Sequence, residues 1–361
     1  MKPMLAGCVW MLAITGTVAA ADKSAIDLVD VFVGGKEGYH TFRIPALVVS
    51  KKGTLLAFCE GRKNNRRDHG DIDLVLKRSS DNGKTWSKLE VVYEEGGNAK
   101  ITIGNPCPVV DQDTSVIWLP FTRDNNDVFV TSSQDDGVTW SKPRRITASV
   151  KGPDWNWYAT GPGNGIQLRR GKYRGRLVIP CDHRIKNGKG NIMGRSHVIY
   201  SDDHGKTWKL GGITDWEMNE CAVAELADGT LLLNMRCYRG KKRRAVATSH
   251  DGGSTWSECV DSDVLIEPVC QASLIRYDDM TLLFSNPAST TTRHRLTVRL
   301  SRDGGKTWPA SKLLYAGPSA YSSLAVLKDK TVGCLFERGD KIYSEKISFA
   351  RFSITWIGTQ N

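Results

Sequence analysis

Phe42-Arg43-Ile44-Pro45 sets an arginine between two apolar residues and ahead of a proline. Arginine is almost never buried without a partner. Asp68 follows 25 residues later, inside the charged run 60–73. Five more polar residues stand at the ends of apolar runs. Glu220 opens Cys221-Ala222-Val223-Ala224, Arg236 closes 231–235, and Arg293 follows Ser285-Asn286-Pro287. Tyr321 lies in 319–324, and Glu337 closes Cys334-Leu335-Phe336. Three guanidiniums are planar, permanently charged donors suited to clamping an anion. A carboxylate beside a phenol can take its proton, and a second carboxylate can move protons to and from a reacting group. Singly, each residue has an ordinary reading. Tyr321 alone is a packed tyrosine with a bonded hydroxyl, Glu220 an ion-pair partner, and Asp68 a solvated loop residue. Only the joint pattern points to chemistry.

Something must bring these scattered residues together. Short runs rich in Val, Ile, Leu and Phe recur at 44–49, 54–58, 72–77, 116–119, 128–132, 176–179, 196–200, 231–235, 245–249, 281–284, 296–300 and 331–336. Gly, Asp, Asn or Pro bounds them, and no long stretch has a 3.6-residue apolar period, so the chain is all-β. The pattern Ser-x-Asp-x-Gly-x-Thr-Trp occurs at 79–86, 133–140, 201–208, 249–256 and 301–308. Its Asp residues are 54, 68, 48 and 52 apart, about one four-stranded sheet per repeat. Such spacing argues for a solenoid or propeller. The motif has turn chemistry, with Asp and Ser/Thr bonding nearby amides and Gly supplying positive φ. A calcium loop is the weaker alternative, because the spacing suits a hairpin rather than convergent ligands. A sixth, unboxed sheet is expected from 324–326, 331–336, 341–344 and 347–352, closed by an N-terminal strand near 28–33. Residues 22–361 thus read as one six-bladed β-propeller, whose loops converge on a central site.

The 361 residues carry 50 Lys and Arg against 39 Asp and Glu, a formal charge of +11. That balance favours an acidic partner. The basic residues are scattered apart from 241–244, which reads as a solvated hairpin tip, so no nucleic-acid patch is expected. Lys2, the apolar run 4–14 and Val18-Ala19-Ala20-Ala21 describe a cleaved signal peptide over 1–21, and hence a secreted or periplasmic protein. The run is too short to span a bilayer. Without Cys8, eight cysteines remain, with no CxxC pair, and read as small core hydrophobes. His69, His183, His204 and His294 show no metal spacing and read as loop residues.

These motifs together resemble the exo-α-sialidases (neuraminidases) of the bacterial and animal Asp-box superfamily. The markers are Phe-Arg-Ile-Pro, the five boxes, Arg-Asp ahead of Asp-Ile-Asp-Leu, Asn-Glu-Cys-x-Val-Ala-Glu, Leu-Asn-x-Arg, Ser-Asn-Pro and Ala-Tyr-Ser-Ser-Leu. The resemblance implies that Arg43, Arg236 and Arg293 clamp a sialic acid carboxylate. Arg295 and Arg299 stand near the third position, and the 28-residue spacing to Tyr321 selects Arg293. It further implies Asp68 as acid/base, Tyr321 as nucleophile, Glu220 as the base that activates it, and Glu337 as the acid that orients Arg43. Arg62, Asn105 and Gln271 match positions near the O4, N-acyl and glycerol groups. The implied reaction releases terminal sialic acid from glycoconjugates with retention and needs no cofactor or metal. A neutral tyrosine avoids the repulsion that a carboxylate nucleophile would meet beside the substrate's own carboxylate. Three alternatives stay open. One is a trans-sialidase or anhydro-forming enzyme with residues 155–158 as acceptor platform. The others are a non-catalytic sugar-binding propeller and a preference for deaminated or O-acetylated sialic acid.

Overall fold

The computed structural model describes residues 26–186 and 192–358. The expected signal segment lies outside the described residues. No helix among them is long and apolar enough to cross a membrane. Strands dominate, and the longest helix among the described residues, Ile354–Gly358, has five residues. Hydrogen bonding joins the strands into four separate sheets of four or five strands and one of seven, all antiparallel within a sheet. The arrangement is propeller-like. Thr41–Val49, Leu55–Arg62, Ile72–Ser79 and Glu90–Tyr93 make one meander, and later sheets repeat the plan.

The expected set of six separate sheets is not what the hydrogen bonds give. Ala310–Val326 is one 17-residue strand. Its first part pairs with His294–Ser301 and its second with Val332–Arg338, which merges two meanders into the seven-stranded sheet. The N-terminal strand Asp27–Val33 pairs with Lys346–Phe352, so the two ends of the chain close one sheet. Residues 341–344, expected as a strand, are turn and bend instead. That segment carries Tyr343 to the site.

Each Asp box folds as the motif chemistry demands. In the first, Asp81 Oδ1 accepts from Ser79 Oγ at 2.8 Å and from the Thr85 amide at 3.0 Å, and Oδ2 accepts from Thr85 Oγ1 at 2.6 Å. The Gly83 amide donates to Ser79 Oγ. The same bonds recur around Asp135, Asp203, Asp251 and Asp303. These carboxylates are spent on their own turns. Trp86 then packs its ring edge-on to Phe349 of the neighbouring sheet, 5.4 Å between centroids.

The eight cysteines from Cys59 to Cys334 are free and buried. The basic run is only partly a solvated tip. Arg244 is fully buried and donates to Asn234 Oδ1, Glu267 Oε2 and the Cys270 carbonyl. It sits on the strand Arg243–Ser249, where alternation turns it inward.

Candidate active site

Arg43 lies on Thr41–Val49, where the ladder slips between Arg43 and Ala46. Ile44 takes φ +62° at this bulge, an outlier for a β-branched residue. Its amide donates to Glu337 Oε1 at 2.9 Å. The same carboxylate receives Arg43 Nε at 2.9 Å and Nη2 at 3.0 Å, and the Tyr321 amide at 3.3 Å. Glu337 is fully buried on Val332–Arg338. It thus fixes the bulge, the guanidinium and the Tyr321 backbone together.

The fork leaves Arg43 Nη1 facing Asp68 Oδ1 at 3.4 Å. Arg62, at the end of Leu55–Arg62, donates to the same oxygen at 2.8 Å. Asp68 comes from the loop behind that strand, and its side chain is 71% exposed. Burial alone would raise its pKa, but Arg62 and Arg43 outweigh it and hold the carboxyl below its ordinary range.

Tyr321 lies in the second part of Ala310–Val326, where the ladder slips between Ser319 and Ser322, and is buried. Its hydroxyl donates to Glu220 Oε1 across 101 residues of sequence. Glu220 Oε2 accepts from Arg236 Nη1 at 2.7 Å, and that nitrogen lies 3.4 Å from the Tyr321 hydroxyl. Burial, then the Glu220 charge, raises the phenol's pKa well above its ordinary value, while Arg236 and Arg293 pull it back. The phenol is therefore neutral and hydrogen-bonded to a base. Arg236 Nε is buried with no hydrogen-bond partner. An unsatisfied guanidinium nitrogen beside a phenol suits capture of an anion.

Arg293 completes the cluster from the loop before His294–Ser301. It stands 5.6 Å from the Tyr321 ring centroid and 5.2 Å from that of Tyr343, and Arg43 is 5.0 and 5.2 Å from the same rings. Arg299 bonds Asn286 instead. The structure thus brings Arg43, Arg236, Arg293, Tyr321, Glu220, Asp68 and Glu337 into one cluster.

Of the remaining expected residues, Arg62 joins the cluster through Asp68, and Asn105 and Gln271 are engaged with neighbouring side chains and backbone. Arg62 is buried, and Glu60 Oε2 takes its Nε at 3.1 Å and Nη2 at 2.6 Å. Asn105, at φ +57°, donates its amide to Glu60 Oε1 and its Nδ2 to Thr122. Gln271 is buried, with Nε2 donating to the Pro162 and Ser322 carbonyls and Oε1 accepting the Ser322 amide. It braces the backbone beside Tyr321. Of the suggested acceptor platform, Trp155 stacks on His183 at 3.4 Å and Tyr158 is fully buried, so Asn156 and, in part, Trp157 are what reach the surface.

Three residues of the site had no assigned part in the sequence reading. Glu60 opens the charged run, and a Cβ on Gly104 would collide with its Oε1 and push the carboxylate off the Asn105 amide. Tyr343 lies under two arginines. Asp182, fully buried, accepts the Asn219 side-chain amide next to Glu220, and its Oδ1 has no partner. Away from the cluster, Asp111, Asp113 and His204 bring ligand atoms within 4.8 Å of one another, a grouping that residue spacing did not show.

Propeller-like sheets carrying Asp boxes, with three arginines converging on a tyrosine–glutamate pair, define the class. Comparison with known proteins agrees. The model of the BNR repeat-like domain matches residues 53–334. A sialidase of Micromonospora viridifaciens is 36% identical over 91% of this chain and 54% of its own length. An exo-alpha-sialidase of Aspergillus fumigatus is 32% identical over 89% of this chain and 86% of its own. A solved structure described as Hadza microbial sialidase Hz136 has TM-score 0.82 and 33% identity, covering 91% of this chain and 69% of that one. This chain belongs to the sialidase family. It spans little more than half the length of the Micromonospora relative.

Proposed function

We propose that the chain is an exo-α-sialidase that releases terminal α-linked sialic acid from glycans, with retention, through a tyrosyl-enzyme intermediate. The observation that carries this is the Tyr321 hydroxyl donating to Glu220 inside a cluster of three guanidiniums. The substrate carboxylate sits on Arg43, Arg236 and Arg293. Glu220 accepts the phenolic proton as the Tyr321 oxygen bonds to the anomeric carbon. The glycosidic C–O bond breaks, and Asp68 gives its proton to the leaving oxygen. Water then attacks the same carbon, Asp68 takes its proton, and Glu220 returns the first proton to Tyr321. Retention follows from two inversions, with tyrosine replacing the usual carboxylate nucleophile.

Asp68 is held below its ordinary pKa without substrate, which opposes an acid role. A bound carboxylate competes for Arg43 and adds negative charge nearby, and both effects raise the Asp68 pKa. Substrate binding thus arms its own acid.

The six-blade count belongs to the same proposal. Six hydrophobic clusters lie between successive meanders, and one joins the last meander to the first. Dividing the seven-stranded sheet inside Ala310–Val326 gives six units that match those six interfaces.

The test is covalent trapping. A 3-fluorosialyl fluoride slows the second step, and peptide mapping by mass spectrometry should place the sialyl adduct on Tyr321. An adduct elsewhere, or none while the probe is turned over, removes Tyr321 as nucleophile.

A further inference from the structure

We propose that Arg184, backed by Trp157, is a second anion subsite that takes a carboxylate or sulfate on the sugar next to the terminal sialic acid. The inference rests on the sialidase reading and narrows its substrate to glycans with an acidic penultimate residue.

Arg184 and Trp157 are cross-strand partners on Leu177–Lys186 and Trp155–Thr160. The guanidinium lies 4.7 Å from the indole centroid. Arg184 is exposed, and among the described residues no carboxylate lies within ion-pair distance of it. Stacking on a flat ring leaves the in-plane N–H edge of a guanidinium free, the geometry for bidentate capture of an oxyanion.

Its position ties it to the catalytic cluster. Asp182 is two residues earlier on the same strand, so both side chains leave the same face. Asp182 bonds the Asn219 amide beside Glu220. Tyr238, 46% exposed, stands 5.1 Å beneath the Arg236 guanidinium, and its amide bonds the Glu217 carbonyl. The Arg184 charge reaches both Asp182 and Tyr238. Three arginines already serve the one carboxylate of a terminal sialic acid. A fourth guanidinium, exposed and ring-stacked on the strand that carries Asp182, is surplus unless the substrate carries a second anion.

The test measures kcat/KM of the full chain on an aryl sialoside, α2,3-sialyllactose, 6-sulfated sialyllactose and α2,8-disialyllactose. Each is run with the native protein, Arg184→Ala and Arg184→Lys. The native protein should prefer the acidic aglycones, and Arg184→Ala should reduce that preference ratio about tenfold, the worth of one charge-assisted hydrogen bond. Arg184→Lys should keep part of it, and added salt should erode it. The disialyl and sulfated arms show which oxyanion is taken. An unchanged ratio overturns the proposal. So does an equal loss on all four substrates, which would put Arg184 on the terminal sugar. If the native chain turns over no aryl sialoside, the sialidase reading falls instead. Calorimetric titration of disialyllactose against sialyllactose then decides the subsite by itself, with a native preference lost in Arg184→Ala supporting it and equal affinities overturning it.

Discussion

Glu337→Ala should damage stability and substrate binding together, and the structure sets the scale. Glu337 accepts four hydrogen bonds, from Arg43 Nε and Nη2 and from the amides of Ile44 and Tyr321. Truncation leaves a buried guanidinium with only the longer contact to the exposed Asp68 as counter-charge, and breaking a buried pair costs about 3–5 kcal/mol. It also orphans two buried amides, at about 1–3 kcal/mol each when water cannot replace the acceptor. The losses overlap, because the new cavity can admit water, so about 4 kcal/mol is expected overall. Glu337→Gln keeps the Oε1 acceptor for Arg43 Nε and Ile44 but removes the charge, and should lose about half as much. Urea unfolding of the three proteins should rank them native, Gln, Ala, with unchanged m-values. Steady-state kinetics should show KM rising in the same order as Arg43 loses its anchor. A Glu337→Ala protein within about 1 kcal/mol of native, with native KM, would refute the idea that this carboxylate holds bulge, clamp and nucleophile in place.

Other outcomes follow from the same geometry. Asp68→Ala should slow natural sialosides far more than aryl sialosides, by about a hundredfold against a few-fold, because a good leaving group needs little protonation; parallel losses in kcat/KM would count against the acid role. Trp86→Ala should remove about 2 kcal/mol of packing against Phe349 and lower Tm by several degrees, with KM untouched; a KM change without a Tm change would make the box functional. Bonds from Thr85, then Thr139, to the box carboxylates drive the pKa of Asp81 and Asp135 down to about 2. A depressed folded pKa stabilises above the unfolded value of ~3.9 and ceases to do so as pH falls through about 2. Unfolding midpoints should therefore drop between those pH values, and less steeply in an Asp81→Asn, Asp135→Asn double variant; identical acid profiles would contradict this.

Local chemistry was the legible part. An Asp box closes within eight residues, so its turn can be read from Ser79 to Trp86 without knowing the fold. Many strand positions were visible for the same reason, but 341–344 is not a strand, and Lys209–Trp216 and Val260–Ile266 matched no expected run. The merging of two sheets through Ala310–Val326 was not visible, because residues 310–318 are at most half-buried and Gly317-Pro318 reads as a break in the middle of the strand. The cluster around Tyr321 was legible only through motif resemblance. Arg43 and Glu337 are 294 residues apart, and closure of the ring brings them together. Gln271 shows the limit of such transfer, since its amide is engaged with backbone 51 and 109 residues away. Asp182, Arg184 and Tyr343 sit in ordinary contexts. Their importance comes from Trp157, Asn219 and Arg43, neighbours that only the folded sheets supply.

The most direct test of the mechanism follows product stereochemistry. The purified chain is mixed with α2,3-sialyllactose and proton NMR is recorded before mutarotation. Attack by Tyr321 and then by water predicts α-sialic acid as the first product, with the β anomer growing in later. Initial release of the β anomer would mean a single displacement by water and would contradict the tyrosyl-enzyme account.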